Sequence, residues 1–125
     1  MTENPLRLMR DPLDPLSVTR LTQGALQPGR SVSLAFSDGI IHVTLDRAGD
    51  WTITAGLSVV SDRLARLSRA LEELGFFHAT EQSGMIYHLW TTALGDENDN
   101  RVMAEKTLLK VLRSFQSRGV SSYIG

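Results

Sequence analysis

The chain has 125 residues, a net charge of -1 and a hydrophobic fraction of 42%, values that fit one globular domain. It contains no cysteine, which excludes disulfides, thiolate nucleophiles and cysteine-based metal sites and fits a reducing compartment such as the cytoplasm. The near-neutral charge gives no general attraction to nucleic acids or anionic membranes. No apolar run approaches the roughly 20 residues of a membrane span, so no membrane partner is expected.

The first part of the chain is predicted to precede the folded domain. Residues 1–14 carry two prolines and lack the long apolar core of a signal peptide, so we expect a flexible N-terminal segment. A modest helix is predicted over Pro15–Gln23, with proline at its first position. The α+β domain is expected to cover residues 15–118, and residues 119–125 form a C-terminal tail.

A meander of three antiparallel strands is predicted next. Apolar residues alternate with polar or small ones in three short segments, which is the pattern of half-buried strands. These apolar residues are Val32, Leu34 and Phe36, then Ile41, Val43 and Leu45, then Trp51, Ile53 and Ala55. Asp38-Gly39 favours a tight hairpin between the first two strands, because both residue types tolerate positive φ.

The chain is organised around an amphipathic helix predicted over Ser61–Gly75. Leucines recur there at steps of three and four residues, which places them on one helix face. They are Leu64, Leu67, Leu71 and Leu74. Gly75 follows the last of them, at the position where a left-handed residue closes a helix. A lone helix this short is marginal in water, so we expect its leucine face to cover a sheet.

A second hairpin and a last helix complete the predicted fold. Phe76–Gln82 and Met85–Ala93 are rich in aromatic and β-branched residues, and Ser83-Gly84 supplies the turn between them. The last helix is predicted over Asp99–Ser117, with an acidic start that suits the positive end of the helix dipole. The predicted class is α+β, with the order α-β-β-β-α-β-β-α and an antiparallel sheet covered by helices.

This order of elements, with a central helix between a meander and a hairpin, resembles that of the single-domain chaperones of type III secretion and the related YbjN-like domains. The resemblance covers roughly residues 15–118 and rests on element order and size. It implies a symmetric homodimer that binds protein segments and catalyses no reaction. The chaperones are usually acidic, whereas this chain is nearly neutral.

The three histidines are His42, His78 and His88. A three-residue loop in the second hairpin would place His78 opposite His88, whereas a two-residue loop at Ser83-Gly84 would set His88 opposite Ala79. A facing pair can bind a divalent metal or act as a proton switch. Since a zinc site needs three or four ligands and only two are available here, no metal is predicted.

Two acidic patterns in the sequence do not predict a metal site or a catalytic carboxylate pair. Asp96, Asn98 and Asn100 match the first three ligand positions of a calcium loop, but Arg101 and Thr107 stand where glycine and glutamate are required. Asp46 and Asp50 flank one turn and are expected to be solvated. No phosphate-binding, dinucleotide-binding, nucleophile-elbow or zinc-protease motif occurs. No catalytic, cofactor-binding or metal-binding residue is therefore predicted.

Basic residues form short stripes on two predicted helices, where they can contact phosphates. They are Arg63, Arg66 and Arg69 on the central helix, and Lys106, Lys110 and Arg113 on the last one. Interspersed glutamates favour two solvated helix faces, so a nucleic-acid-binding role is the alternative interpretation. A second alternative is an enzyme without a recognisable signature.

The main functional prediction is a non-catalytic, homodimeric protein-binding module of chaperone or adaptor type. Met85–Ala93 is the last strand of its hairpin, and we expect it to be a sheet edge. It carries no lysine or proline to protect such an edge. Either the last helix or a second copy of the chain is therefore expected to cover it. In a dimer, Ile86, His88 and Trp90 would lie at the dimer or partner surface, with Trp90 as anchor.

Overall fold

A computed structural model of the chain describes residues 22, 24, 26–36, 38–58, 62–92, 95–117 and 122–123. The predicted N-terminal segment over residues 1–14 lies outside these residues. So does the predicted helix over Pro15–Gln23, apart from Thr22.

The described strands form one antiparallel sheet. In chain order they are β1 (Arg30–Phe36), β2 (Gly39–Leu45), β3 (Trp51–Leu57), β4 (Phe77–Gln82), β5 (Met85–Thr91) and the two-residue β6 (Ser122–Tyr123). Their order across the sheet is β4-β5-β3-β2-β1-β6. The predicted meander and second hairpin are both present, and the α+β class with an antiparallel sheet is confirmed.

Gly39, which follows the turn between β1 and β2, lies close to Gly56 of β3. The register pairs Phe36 with Gly39, so the connection consists of residues 37–38. A Cβ at Gly39 would collide with the backbone carbonyl of Gly56 on β3. Glycine is therefore needed because the backbones of β2 and β3 approach closely at this point. The sequence located the turn correctly, but it did not indicate this contact.

Two helices pack on the sheet, α1 (Asp62–Glu73) and α2 (Glu97–Ser117). Leu67 and Leu71 of α1 are buried, and Leu64 and Leu74 are partly buried against the core. The predicted leucine face is therefore confirmed.

The end of α1 has the closing geometry that glycine permits. Gly75 has φ +95°, in the left-handed region. The backbone N–H of Phe76 donates to the carbonyl of Leu71 at 3.0 Å, and the N–H of Gly75 donates to the carbonyl of Glu72 at 3.0 Å. These bonds satisfy carbonyls that the helix itself leaves unpaired, so Gly75 ends α1 as predicted.

Both helices cover the same face of the sheet. In β2 and in the first part of β3, buried residues alternate strictly with half-buried ones. The buried set joins the apolar residues of both helices in one core. Its members from α2 are Ala104, Leu108, Val111 and Leu112. The half-buried residues, among them His42 and Thr54, lie on the opposite face, which neither described helix covers.

The predicted position of the Met85–Ala93 strand at the sheet edge was wrong. This strand, observed as β5, lies between β4 and β3. It pairs with β3 from Thr52↔Thr91 to Leu57↔Ile86, and with β4 on its other side. The physical reason is that α1 connects β3 to β4 at the edge of the sheet, leaving one strand position between them. The second strand of the hairpin, β5, then fills that position beside β3. The strand of this hairpin that lies at the sheet edge is β4.

The buried leucine face gives a first prediction. We expect Leu71→Ala to lower the free energy of unfolding by about 2–5 kcal/mol, because truncating a buried leucine loses transfer free energy and leaves a cavity. Urea denaturation measures this loss. The exposed neighbour Glu72 provides the control, since Glu72→Ala removes a side chain of similar size from the same helix. A loss below about 0.5 kcal/mol for Leu71→Ala would contradict the described core.

Candidate functional site

The free edge of β4 is the most open part of the described sheet. All six of its residues are exposed, and Phe77, at 54% exposure, is one of two large apolar side chains in the described part of the chain that remain in solvent. Its backbone pairs with β5 on one side, and no described strand pairs with it on the other. Backbone N–H and C=O groups along such an edge are available to another strand.

A β-bulge decides which side chains face each other in the β4–β5 hairpin. Gln82 pairs with Met85, so the loop has two residues, and that register alone would set His88 opposite Ala79. The register shifts between His78 and Thr80, however, and His78 pairs with His88. Both alternatives from the sequence are thus partly realised: the loop is the short one, but the extra residue in β4 restores the facing histidines.

The two histidines have different environments. Their rings meet edge to face, with centroids 5.8 Å apart. His88 is only 2% exposed, and its Nδ1 has no hydrogen-bond partner among the described residues. His78 is exposed, and its Nε2 lies 4.0 Å from Oε1 of Glu81. The described residues contain no cluster of three or more metal-ligating side chains.

Burial changes the acid–base behaviour of His88. It lowers the pKa of His88 because desolvation disfavours the charged imidazolium, and repulsion from His78 lowers it further. Attraction from Glu72 acts in the opposite direction and is weaker. His88 is therefore held neutral at pH values where an exposed histidine begins to take up a proton.

The residues predicted as a dimer or partner surface, Ile86, His88 and Trp90, are not exposed in the described structure. His88 and Trp90 are 2% and 8% exposed, and Ile86 is half-buried. These residues share the face of β5 that the helices cover, and Trp90 belongs to the core. The sequence did not resolve this point, since both faces of the strand are largely apolar.

The basic residues remain on the surface. The side chains of Arg66, Arg69, Lys106, Lys110 and Arg113 are exposed on α1 and α2, while the side chain of Arg63 lies outside the described residues. Both helices lie on the same side of the sheet. Glu72 and Glu73 are exposed on α1 among these cations, so the surface carries charges of both signs.

The calcium-like residues at the start of α2 have structural roles. Asp96 Oδ1 accepts the N–H of Asn98 at 3.0 Å, as a capping side chain does. Asn100 is 3% exposed, and its Nδ2 donates to Asp50 Oδ1 at 3.2 Å and to the carbonyl of Gly49 at 3.3 Å. Asn98 Oδ1 accepts from Arg101 Nη2 at 2.9 Å.

Asn100 belongs to a polar cluster that sequence reasoning missed. Thr92 Oγ1 donates to Asp50 Oδ1 at 3.3 Å and accepts the N–H of Trp51 at 2.8 Å. The cluster joins the β2–β3 turn, the end of β5 and the first turn of α2. Asp50 is therefore a structural acceptor in this cluster, whereas Asp46 caps the turn through the N–H groups of Ala48 and Asp50.

One serine–histidine contact was also missed. Ser33 Oγ lies 2.7 Å from Nδ1 of His42. The two residues are cross-strand partners of β1 and β2, in the register that pairs Phe36 with Gly39. No carboxylate is seen on the other nitrogen of His42 in the described part of the chain, so the pair is a cross-strand hydrogen bond rather than a recognisable triad.

A cleft of about 540 Å³ lies beside the start of α2. Its lining includes Arg47, Trp51, Glu97 and Arg101. Trp51 is almost completely buried, and the two arginines and the glutamate give the lining both signs of charge. None of the residues predicted for a partner or nucleic-acid surface lines it.

Comparisons with protein-family models, with curated proteins and with solved structures find no match to this chain. No described helix is long and apolar enough to cross a membrane.

The lowered pKa of His88 predicts a pH-dependent stability. As the pH falls below the ordinary value of 6.5, the unfolded chain binds a proton at position 88 while the folded chain resists it. The free energy of unfolding should therefore decrease on acidification from about pH 7.5 to about pH 5.5, and His88→Leu should reduce this decrease. Urea denaturation at several pH values measures it. An unchanged pH dependence in His88→Leu, with His42→Gln as the matched control, would refute the assignment to His88.

Proposed function

We propose that this chain is a non-catalytic protein-binding module of chaperone or adaptor type, which binds an extended protein segment at the free edge of β4. The observation that carries the proposal is the six-residue strand with every residue exposed and one backbone edge open. In this binding mode, main-chain hydrogen bonds give affinity, and alternate side chains give specificity. A cytoplasmic site of action belongs to the same proposal, because the chain has no cysteine.

The composition of β4 supports this use of the edge. Soluble proteins usually protect an open edge with lysine or proline, or twist it with a bulge. The sequence Phe77–Gln82 contains neither lysine nor proline, and its protective features are the bulge at Ala79 and the single carboxylate of Glu81. Phe77 offers a large apolar contact beside the open backbone, which suits a partner strand with an apolar residue near its end.

A second candidate function is nucleic-acid binding, supported by the exposed cations of α1 and α2. Phosphate contacts by Lys106 and Lys110 would make binding strongly dependent on salt. Retention of a labelled oligonucleotide that weakens steeply with salt, and that Lys106→Glu plus Lys110→Glu abolishes, would favour this candidate over the first.

The strand-addition proposal is tested by adding charge to the edge. Peptides are selected from a random displayed library on the wild-type chain, and their affinities are measured by fluorescence anisotropy. We expect Phe77→Lys plus Thr80→Lys to weaken binding by at least about tenfold, since lysine on an edge strand opposes further pairing. Both side chains are exposed, so the fold should be retained.

The matched control is Met103→Lys, which places the same charge at the other large exposed apolar residue, on α2. It should leave peptide affinity unchanged. Equal affinities for the wild type and the β4 variant, or failure to select any peptide, would contradict strand addition at this edge.

A further inference from the structure

The bulge in β4 gives this strand an unusual distribution of side chains. Residues paired across a ladder lie on the same face of the sheet. His78 pairs with the buried His88, and Glu81 pairs with Ile86, so both project to the helix-covered face. Phe77 pairs with Leu89 and Gln82 with Met85, which places both on the opposite face.

His78 and Glu81 therefore share one face although they are three residues apart. In a regular strand, positions separated by an odd number of residues lie on opposite faces. The extra residue in β4 removes this difference. The same shift places Phe77 and Gln82, five residues apart, together on the other face.

This distribution makes β4 complementary to itself. When two antiparallel copies are aligned about a two-fold axis between Ala79 and Thr80, Phe77 meets Gln82 of the other copy and His78 meets Glu81. Both of these pairs match in face. Shifting the alignment by one residue in either direction opposes His78 to Thr80 or to Gln82, which lie on the other face. Of these three registers, the aligned one is therefore the one that pairs Phe77, His78, Glu81 and Gln82 with residues on the same face.

We propose that the segment bound at the β4 edge is β4 of a second copy of this chain, in the register that pairs His78 of each copy with Glu81 of the other. The inference rests on the proposed function of this edge and names its partner. A two-fold operation makes each contact occur twice, as in any isologous dimer. The paired sheets then form one continuous sheet across the axis.

Charge complementarity favours a second copy of the chain as the partner at the β4 edge. An imidazole N–H can donate to a carboxylate, and a protonated imidazole adds an ionic contribution. Within one copy the two groups stand 4.0 Å apart, so they are close enough to attract but remain available to a better-placed partner. With a net charge of -1 on each chain, overall repulsion between two copies is small.

The test is a charge exchange between copies, followed by sedimentation equilibrium. We expect the wild type to dimerise at micromolar concentration. His78→Glu places a carboxylate opposite Glu81 at both ends of the ladder, and Glu81→Lys places an ammonium opposite His78 at both ends. Each variant alone should dimerise at least about tenfold more weakly than the wild type, because His78→Glu opposes two carboxylates in the ladder and Glu81→Lys removes the carboxylate that accepts from His78.

An equimolar mixture of the two variants should recover the dimer. In the mixed pair, the substituted carboxylate at position 78 faces the substituted lysine at position 81, and the other end keeps the native His78–Glu81 contact. Both side chains are more than half exposed, so neither change should unfold the chain, and circular dichroism verifies this. Met103→Lys should dimerise as the wild type does.

The outcomes separate this inference from the proposed function. A monomeric wild type at about 100 µM would overturn the second copy as partner, while loss of peptide binding in the lysine variants of β4 would still support strand addition. A dimer that neither variant weakens, or one that the mixture fails to restore, would overturn this register. Recovery only in the mixture would support it.

Discussion

The pairing of β3 with β5 is the constraint on which the rest of the described structure depends. These strands are distant in sequence, and six cross-strand pairs from Thr52↔Thr91 to Leu57↔Ile86 join them. The chain passes through α1 and β4 before β5 returns to β3, so this pairing closes the sheet beneath the helix. It buries Trp90 and His88 under the helices and leaves β4 as the outer strand.

The same pairing links the core to the candidate site. Because β5 is interior, its helix-covered face is buried. Burial lowers the pKa of His88, whose Nδ1 has no hydrogen-bond partner among the described residues. Its neighbour His78 lies one strand further out, in solvent. At the other end of β5, Thr92 and Asn100 share the Asp50 carboxylate, which fixes the start of α2 against the sheet. The exposed edge strand β4 therefore pairs with β5, a strand that is fixed at both ends by the core and by this polar cluster.

Features set by local chemistry could be predicted from the sequence, and those set by distant pairing could not. Alternation predicted β1 to β3, leucine spacing predicted α1, and Gly75 predicted its end. The position of β5 depends on which strand of the hairpin pairs with β3. The sequence does not indicate this, because the two faces of β5, represented by Ile86 and Tyr87, are too similar in polarity. The bulge at Ala79 has no glycine to mark it, so the facing of His78 and His88 was left open.

The central claim is that β4 is an open edge that β4 of a second copy of the chain completes. Amide hydrogen exchange followed by mass spectrometry across a dilution series tests it most directly, because a paired amide exchanges more slowly than a free one. Residues 77–82 should exchange rapidly in the dilute chain and more slowly as concentration rises, while residues 51–57 of β3 stay protected throughout. Exchange in residues 77–82 that is equally fast or equally slow at every concentration would contradict the account.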